Sequence, residues 1–144
     1  SGKMKSMAKL TEQDILNWSG SEDDYMNDDH LLFFRELLIT LQEELIGNAA
    51  ATTDHLQEQE SPSDPADRAT QEEEYALELR TRDRERKLLS KVEASIRQVD
   101  EGEYGYCKDT GEPIGLKRLL ARPTATLSIE AQERREQIKK QFAD

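Results

Sequence analysis

The chain has 144 residues, of which 35% are charged and 35% hydrophobic, and its formal net charge is −11 at pH 7. With a mean hydropathy of −0.89, it is too polar for one compact globule of this length and suits long helices that expose much of their surface. The negative charge argues against a protein that neutralises nucleic-acid phosphates over a broad face, and it disfavours sequence-specific DNA binding.

The cysteine count and the apolar runs point to a class and a compartment. A single cysteine, Cys107, rules out an intramolecular disulfide. No apolar run reaches the roughly 18 residues that a membrane-spanning helix needs, and no signal peptide is visible. We therefore expect a soluble, cytoplasmic, monomeric protein without a membrane partner. No glycine-rich phosphate loop or His/Cys/Asp constellation is present, so we expect no enzyme.

Residues 1–26 are weakly patterned, and we predict that they pack on the globular part of the molecule. Thr11 is the expected N-cap of a short helix, and Asp14 completes a capping box with it. We interpret Trp18 as an anchor that holds this segment on a neighbouring surface rather than as a ligand-stacking side chain.

Residues 27–101 are predicted to form an antiparallel coiled-coil hairpin. Asn27 or Asp28 caps its first helix. The apolar residues of that helix are spaced by alternating steps of three and four, which is the repeat of a coiled-coil seam. They are Leu31, Phe34, Leu38, Leu41 and Leu45. Gly47 predicts a soft point or bend, because glycine in a helix interior costs about 1 kcal/mol relative to alanine.

The hairpin tip is predicted at residues 61–69, which hold two of the chain's four prolines. Asp64 is the expected N-cap of the second long helix and Pro65 its first residue. Asp67 lies in the first turn, where a carboxylate favours the helix dipole. Capping alone therefore explains both carboxylates. Gly102 is the predicted end of the helix. Its apolar positions are Tyr75, Ala76, Leu79, Leu88, Leu89, Val92, Ile96 and Val99.

Charge is segregated along the hairpin. Residues 54–74 hold eight acidic side chains and one basic one, whereas residues 80–91 hold six basic and two acidic ones. Arg80 and Arg84 lie one turn apart on one face of the second helix. Segregation of charge favours a contact surface for a partner, although a solvated face with i,i+4 pairs is the alternative.

Residues 102–127 break the helical pattern and predict a small, turn-rich module, and Ser128 is the expected cap of a last helix over 128–144. The fold class is therefore mainly α: a long antiparallel coiled-coil hairpin, a small irregular or β-hairpin-like module and a C-terminal helix. The residues expected to pack the module are Tyr104, Tyr106, Ile114, Leu119, Leu127 and Ile129. In the last helix the candidate buried positions are Ile129, Ile138 and Phe142.

Ordered motifs run from about Tyr25 onward. They are Asp64-Pro65-Ala66-Asp67-Arg68-Ala69, Gln71-Glu72-Glu73-Glu74, Leu79-Arg80-Thr81-Arg82-Asp83-Arg84-Glu85-Arg86-Lys87, Gly105-Tyr106-Cys107, Ile114-Gly115 and Leu119-Leu120-Ala121-Arg122-Pro123-Thr124-Ala125. This set resembles the DksA/TraR family of bacterial transcription regulators. The resemblance implies a regulator of transcription initiation that binds RNA polymerase and acts with ppGpp at stringent-response promoters, such as ribosomal ones.

The resemblance also implies roles for individual residues. The coiled coil would enter the secondary channel of RNA polymerase, with its tip near the active site. From their shared helix face, we expect Arg80 and Arg84 to contact polymerase, with anchoring of the small module as the alternative. Gln132 stands where the family has a basic residue. The implied tip residues are Asp64, Asp67 and Ala69. The residues implied to contact ppGpp at the polymerase interface are Leu88, Lys91 and Arg122.

The resemblance implies that residues 102–127 form a degenerate, zinc-finger-like module. The family typically carries a four-cysteine zinc finger, and the spacing of those cysteines falls here on Cys107, Thr110, Ser128 and Ala131. Thiolates bind zinc well, whereas hydroxyls and a methyl group do not. We therefore expect no zinc and no intrinsic cofactor, with ppGpp as a co-effector only. The hydroxyls of Thr110 and Ser128 are expected to bond to backbone amides of the turns instead.

Two other function classes remain open. In a transcript-cleavage or anti-backtracking factor, Asp64 and Asp67 would help to hold a second Mg²⁺ in the polymerase active site. In a generic acidic coiled-coil adaptor or chaperone, any tip sequence would serve.

Overall fold

A computed structural model describes the backbone of residues 9–58 and 64–142, and the side chains of the same residues except 55–58. The α-helices are α1 (Glu12–Leu16), α2 (Asp28–Glu58), α3 (Pro65–Glu101), α4 (Leu116–Ala121) and α5 (Ile129–Phe142), and a short 3₁₀ helix covers Glu22–Asp24. The described residues contain no strand, only an isolated antiparallel bridge between Tyr106 and Pro113. The fold is mainly α, as predicted. None of these helices has the length and apolar composition to cross a membrane.

The chain divides into two compact units. The basal unit comprises Ser1–Leu38 and Ser95–Asp144, and the shaft unit comprises Ile39–Ala94. Each is described by itself below. The division into segments 1–26, 27–101, 102–127 and 128–144 stays a prediction. Of the predicted tip, residues 61–63 lie outside the described residues, as do 1–8 and 143–144 at the termini.

The start of the basal unit follows local capping rules. The Thr11 N–H donates to Asp14 Oδ2 at 2.8 Å, and the Asp14 N–H donates to Thr11 Oγ1 at 3.2 Å. This reciprocal pair confirms the predicted capping box. Trp18 meets His30 edge-on, with ring centroids 5.1 Å apart. The backbone of Gly20 lies close against the same indole, and a Cβ added at this position would lie only 2.8 Å from the ring.

Asn27 is the cap of α2. Its Oδ1 accepts the His30 N–H at 2.9 Å, which decides between the two candidates. One residue earlier, Met26 has a positive φ of 56°, and its N–H donates to His30 Nδ1 at 3.0 Å. This bond helps to hold a backbone conformation that non-glycine residues seldom adopt.

The core of the basal unit is formed by residues from α2, α3, α4 and the turns between them. Phe34, Leu38 and Leu119 are fully buried, and Phe34 packs on Tyr104 with ring centroids 5.6 Å apart. The other buried apolar residues here are Ile15, Tyr25, Met26, Ile96, Val99, Cys107, Ile114, Leu116, Leu127 and Ala131. At the rim, Arg35 Nε donates to Asp100 Oδ1 at 2.8 Å and joins α2 to α3.

Three of the predicted packing positions are wrong, because Ile129, Ile138 and Phe142 are exposed. Tyr106 is 41% exposed but packs edge-on against Tyr25, with ring centroids 5.5 Å apart. The predicted last helix does form, as α5, but its buried residue is Ala131 and none of its large apolar residues is buried. A small side chain allows α5 to approach the module closely, and the large apolar side chains then project beyond the contact.

Gly102 ends α3 as predicted. Its φ is +74°, its N–H donates to Val99 O at 3.1 Å, and the next N–H, of Glu103, donates to Gln98 O at 2.9 Å. These two bonds are those of a Schellman motif. Gly105 has a φ of +98°, and an added Cβ would lie 2.5 Å from Met26 Cε. Glycine is therefore needed there on both steric and conformational grounds.

The shaft unit pairs the later part of α2 with most of α3. Leu45 and Val92 are buried, and Asn48 Nδ2 donates to Glu85 Oε2 at 3.1 Å across the two helices. Helix α2 runs through Gly47 without interruption. Towards the start of α3, the seam residues Tyr75 and Leu79 are each 41% exposed, so apolar burial is greater at the Leu45 end.

Candidate functional site

The described part of the tip is an exposed helix start. Asp64 Oδ1 accepts the Ala66 N–H at 2.8 Å, and its carbonyl accepts the Arg68 N–H at 2.9 Å. Pro65 is the first residue of α3, and Asp67 lies in its first turn. Asp64, Asp67 and Ala69 are all exposed. The predicted cap is confirmed, and it fixes the direction of one carboxylate while the other remains open to solvent.

The two predicted contact arginines lie on an exposed face of α3. Leu79, Asp83 and Lys87 line a shallow surface together with Arg80 and Arg84. Asp83 pairs with Arg86 and, at 3.3 Å, with Lys87. The Arg86 hydrogen bond is the main reason that the pKa of Asp83 lies below its usual range, and Lys87 adds to it.

Arg80 and Arg84 have no such partner among the residues that the structure describes. Asp83 neutralises the basic residues that follow it along the helix and leaves these two guanidinium groups available. Their spacing of one turn places them side by side on α3.

The three residues that the resemblance associates with ppGpp fall on different units. Leu88 and Lys91 belong to the shaft unit, where Leu88 is half-buried and Lys91 exposed. Arg122 belongs to the basal unit and is exposed at the end of α4. Gln132, at the position where a basic residue was expected, donates from Nε2 to Glu136 Oε1 at 3.0 Å.

The backbone around Arg122 is held on both sides. Its N–H donates to Arg118 O at 2.8 Å, and its carbonyl accepts the Ala125 N–H at 3.0 Å. The next carbonyl, of Pro123, accepts the hydroxyl of the buried Tyr104 at 2.7 Å. Burial and the neighbouring Tyr25 raise the pKa of Tyr104 strongly, so this hydroxyl remains a donor at physiological pH.

The four positions that correspond to the family's cysteines converge in the basal unit. Cys107 is 2% exposed and Ala131 is 1% exposed. Thr110 Oγ1 accepts the Glu112 N–H at 3.2 Å, and Ser128 Oγ accepts the Ala131 N–H at 3.2 Å. Both hydroxyls thus bond to amides of the turns, as predicted from their residue type.

Cys107 lies inside this arrangement. Its N–H donates to Glu112 O and its carbonyl accepts the Gly111 N–H, both at 2.7 Å. Burial alone would raise the pKa of its thiol. Hydrogen bonds from the hydroxyls and amides of Thr110 and Ser128 outweigh that effect and lower the pKa to about 6.

Two family models account for most of the chain. Residues 30–99 match the N-terminal domain of the DnaK suppressor protein DksA. Residues 102–137 match the prokaryotic DksA/TraR C4-type zinc finger. The chain belongs to the DksA/TraR family. The resemblance noted from the motifs is therefore confirmed.

Relatives in this family match over most of their length. The "RNA polymerase-binding transcription factor DksA" of Caulobacter vibrioides is 49% identical over 143 residues, which cover 98% of this chain and 99% of that protein. The protein of the same name from Escherichia coli is 43% identical over 84% of this chain and 81% of its own. The solved structure of transcription factor DksA2 from Pseudomonas aeruginosa matches with a TM-score of 0.79 and 43% identity, covering 90% of this chain and 99% of that one.

The zinc-finger match corrects one expectation. We expected a chain without zinc, but residues 102–137 match a C4-type zinc finger and so place this module in a zinc-binding family. The donor set itself is one thiol, two hydroxyls and a methyl group. Within residues 9–58 and 64–142, no group of three His, Cys, Asp or Glu side chains could hold a metal. These side chains do not supply the four thiolate ligands that a C4-type finger gives to a zinc ion.

Sequence reasoning missed several residues that position these groups. Tyr25 bonds to backbone groups 80 and 90 residues away along the chain, and no local signal marks such partners. Arg135 forms a two-pronged pair with Asp109, with Nε 2.7 Å from Oδ2. The hydrogen bond from Arg135 is the main cause of the lowered pKa of Asp109, and the pair joins α5 to the turn beside Cys107. His30 carried a partial signal, since it follows the cap residue Asn27 by three positions.

Proposed function

We propose that this protein regulates transcription initiation by binding RNA polymerase through the secondary channel. It presents Asp64, Asp67 and Ala69 near the active site and acts together with ppGpp at stringent-response promoters, including ribosomal ones. It does so as a monomer and without catalysing a reaction of its own. The observation that carries the proposal is the exposed pair of tip carboxylates, in a chain 49% identical over 98% of its length to a protein named as an RNA polymerase-binding transcription factor.

The described part of the tip presents two negative charges at the start of α3. The bond from the Ala66 N–H to Asp64 gives that carboxylate a defined direction. Asp67 is exposed in the first turn of the same helix, where the helix dipole favours negative charge. The Asp64 carboxylate can therefore act on a cationic site by electrostatics without first having to be ordered, and Asp67 adds a second negative charge in the same turn.

The basic residues supply the complementary contacts. Arg80 and Arg84 are exposed on α3 and suit an acidic surface of the polymerase, since guanidinium groups pair well with carboxylates. Lys91 and Arg122 suit the diphosphates of ppGpp, with Leu88 as an apolar neighbour. The hydrogen bonds around Arg122 fix the position of its backbone, from which the side chain extends.

The proposal is tested with Asp67→Asn, which removes one charge and keeps nearly the same shape. We expect this variant to fold and to bind polymerase like the parent protein but to lose inhibition of a ribosomal promoter in vitro. Glu72→Gln is a matched control, since it is another exposed carboxylate of α3. Full inhibition by Asp67→Asn would reject the role of the tip.

Two further measurements separate the alternatives. A photocrosslinker at position 67 should label the core polymerase close to its active site, and labelling elsewhere on the enzyme would contradict delivery through the channel. In an assay of backtracked complexes we expect no stimulation of transcript cleavage. Robust cleavage that is lost in Asp67→Asn would identify a cleavage factor instead.

A further inference from the structure

The shaft unit contains a cavity of about 180 Å³ between α2 and α3. Leu45 and Leu89 form its apolar walls, together with Ala49 from α2. Leu45 is 5% exposed, so one wall belongs to the seam of the helical pair itself. An engineered apolar cavity of about 150 Å³ is large enough to bind benzene, and this cavity is thus of the size that holds one aromatic ring.

The cavity arises from the order of seam residues in α2. Leu45 is the last large residue of α2 that lines the cavity, and the next lining residues of that helix are Ala49 and Thr52. Both are smaller than leucine, and a leucine at position 49 would fill the space. Opposite them, α3 supplies Leu89 and three long, charged side chains, which line the cavity without closing it.

Two of the three charged lining residues are already engaged. Glu85 accepts a hydrogen bond from Asn48 at 3.1 Å, and Arg86 pairs with Asp83. Arg82, the third, has neither an ion pair nor a hydrogen bond to another side chain in the part of the chain that the structure describes. The cavity therefore combines an apolar interior with one guanidinium group that lacks an anion.

We propose that this cavity binds a small aromatic monocarboxylate. The ring occupies the space beside Ala49 between Leu45 and Leu89, and the carboxylate pairs with Arg82. A guanidinium group suits both parts of such a ligand, because it pairs with carboxylates and also stacks on aromatic faces. The cavity lies within the shaft unit and uses none of the tip residues, so the proposal does not depend on the function proposed above.

The test is a ¹H–¹⁵N NMR titration of the full chain with sodium benzoate at constant ionic strength. We expect saturable shifts centred on residues 45–52 and 82–89, with a dissociation constant on the order of 1 mM for a ligand of this size. Benzyl alcohol, which keeps the ring and lacks the charge, should bind more weakly. Acetate, which keeps the charge and lacks the ring, should cause no saturable shift in these segments.

Three variants make the test decisive. Arg82→Gln should weaken benzoate binding about tenfold and leave the binding of benzyl alcohol unchanged, whereas Arg97→Gln, another exposed arginine of α3, should have no effect. Ala49→Leu should abolish binding of both ring compounds. If Ala49→Leu does not fold, Arg82→Gln alone decides, because an exposed residue tolerates this change. Benzoate affinity that is unchanged in Arg82→Gln, shifts that acetate reproduces, or the absence of saturable shifts would each overturn the proposal.

Discussion

The hydroxyl of Tyr25 donates to the carbonyl oxygen of Gly105 at 2.7 Å. The oxygen of the Tyr25 hydroxyl in turn accepts the Gly115 N–H at 3.0 Å. One side chain from the N-terminal segment thus joins two turns of the small module. Burial is the main cause that raises the pKa of Tyr25 to about 12, so the hydroxyl stays protonated over the whole physiological range.

Tyr25→Phe should destabilise the protein by about 1–3 kcal/mol, because it leaves the Gly115 N–H without its partner in a partly buried setting. Urea unfolding followed by circular dichroism measures the change. Tyr75→Phe is the matched control, since Tyr75 is 41% exposed, and it should alter stability by less than about 0.5 kcal/mol. Equal effects of the two variants would contradict a structural role for the Tyr25 bond.

His30 should make stability depend on pH below neutrality. Burial lowers its pKa in the folded state, although Asp29 and Asp24 partly oppose this effect. The unfolded chain then binds a proton more readily than the folded one. The contribution is complete above the unfolded pKa of about 6.5 and is lost as the pH falls towards the folded value. Protonation would also remove Nδ1 as the acceptor of the Met26 N–H.

The measurement is the free energy of unfolding between pH 7.5 and 5. It should fall with decreasing pH, with a slope of at most about 1.4 kcal/mol per pH unit from this one group. His30→Asn should be less stable at pH 7.5 and should show a flatter profile. His55→Gln changes the only other histidine of the chain and should keep the slope of the parent protein. A His30→Asn profile as steep as the parent's would refute the assignment.

Gly47 and Gly102 predict opposite effects of the same substitution. At both sites an added Cβ would meet no atom within 4 Å, but only Gly102 has a positive φ, of +74°. Gly47→Ala should therefore stabilise the protein by about 0.5–1 kcal/mol through helix propensity. Gly102→Ala should destabilise it by about 1–2 kcal/mol, because a Cβ is disfavoured in the left-handed region.

Thermal unfolding of these two variants forms a controlled pair. The parent chain, the Gly47→Ala chain and the Gly102→Ala chain differ by one methyl group each, so composition is nearly constant. If both substitutions change the free energy of unfolding in the same direction, the backbone φ at the substituted glycine does not determine the effect.

Arg35 should hold the carboxyl of Asp100 in its ionised form. The hydrogen bond from Arg35 is the main cause that lowers the pKa of Asp100 below its usual range. The resulting stabilisation is present above the unfolded pKa and is lost as the pH falls through the folded value. In Arg35→Gln the pKa of Asp100, followed by NMR, should rise towards that of an ordinary aspartate. Arg97→Gln should leave it unchanged, and salt should reduce the difference between the two variants because the pair is exposed.

Local features of the fold could be predicted from the sequence. The capping box of Thr11 and Asp14, the cap at Asp64 before Pro65 and the stop at Gly102 all depend on residues within one or two turns of each other. The seam of α2 was predictable for the same reason, since its periodicity follows from helix geometry. The convergence of Cys107, Thr110, Ser128 and Ala131 came from the family spacing and not from periodicity.

Packing between distant segments was not predictable. Periodicity assigned Ile129, Ile138 and Phe142 to a buried face, but the contact of α5 is made by Ala131, and its approach is fixed by Arg135 and Asp109, 26 residues apart. The role of Tyr25 depends on two turns that the sequence places far downstream. Neither relationship can be read from neighbouring residues, because each depends on how the whole basal unit closes.

Asp64 is both the N-cap of α3 and a charge of the proposed functional tip, and this affects how mutational data on the tip are interpreted. Its Oδ1 starts α3 by accepting the Ala66 N–H, so a substitution to alanine frays the helix and removes a charge in one step. Asparagine and serine preserve the cap and remove only the charge. A screen that ranks tip positions by alanine substitution will therefore overstate the importance of Asp64 relative to Asp67, and a library restricted to capping residues at position 64 will correct that ranking.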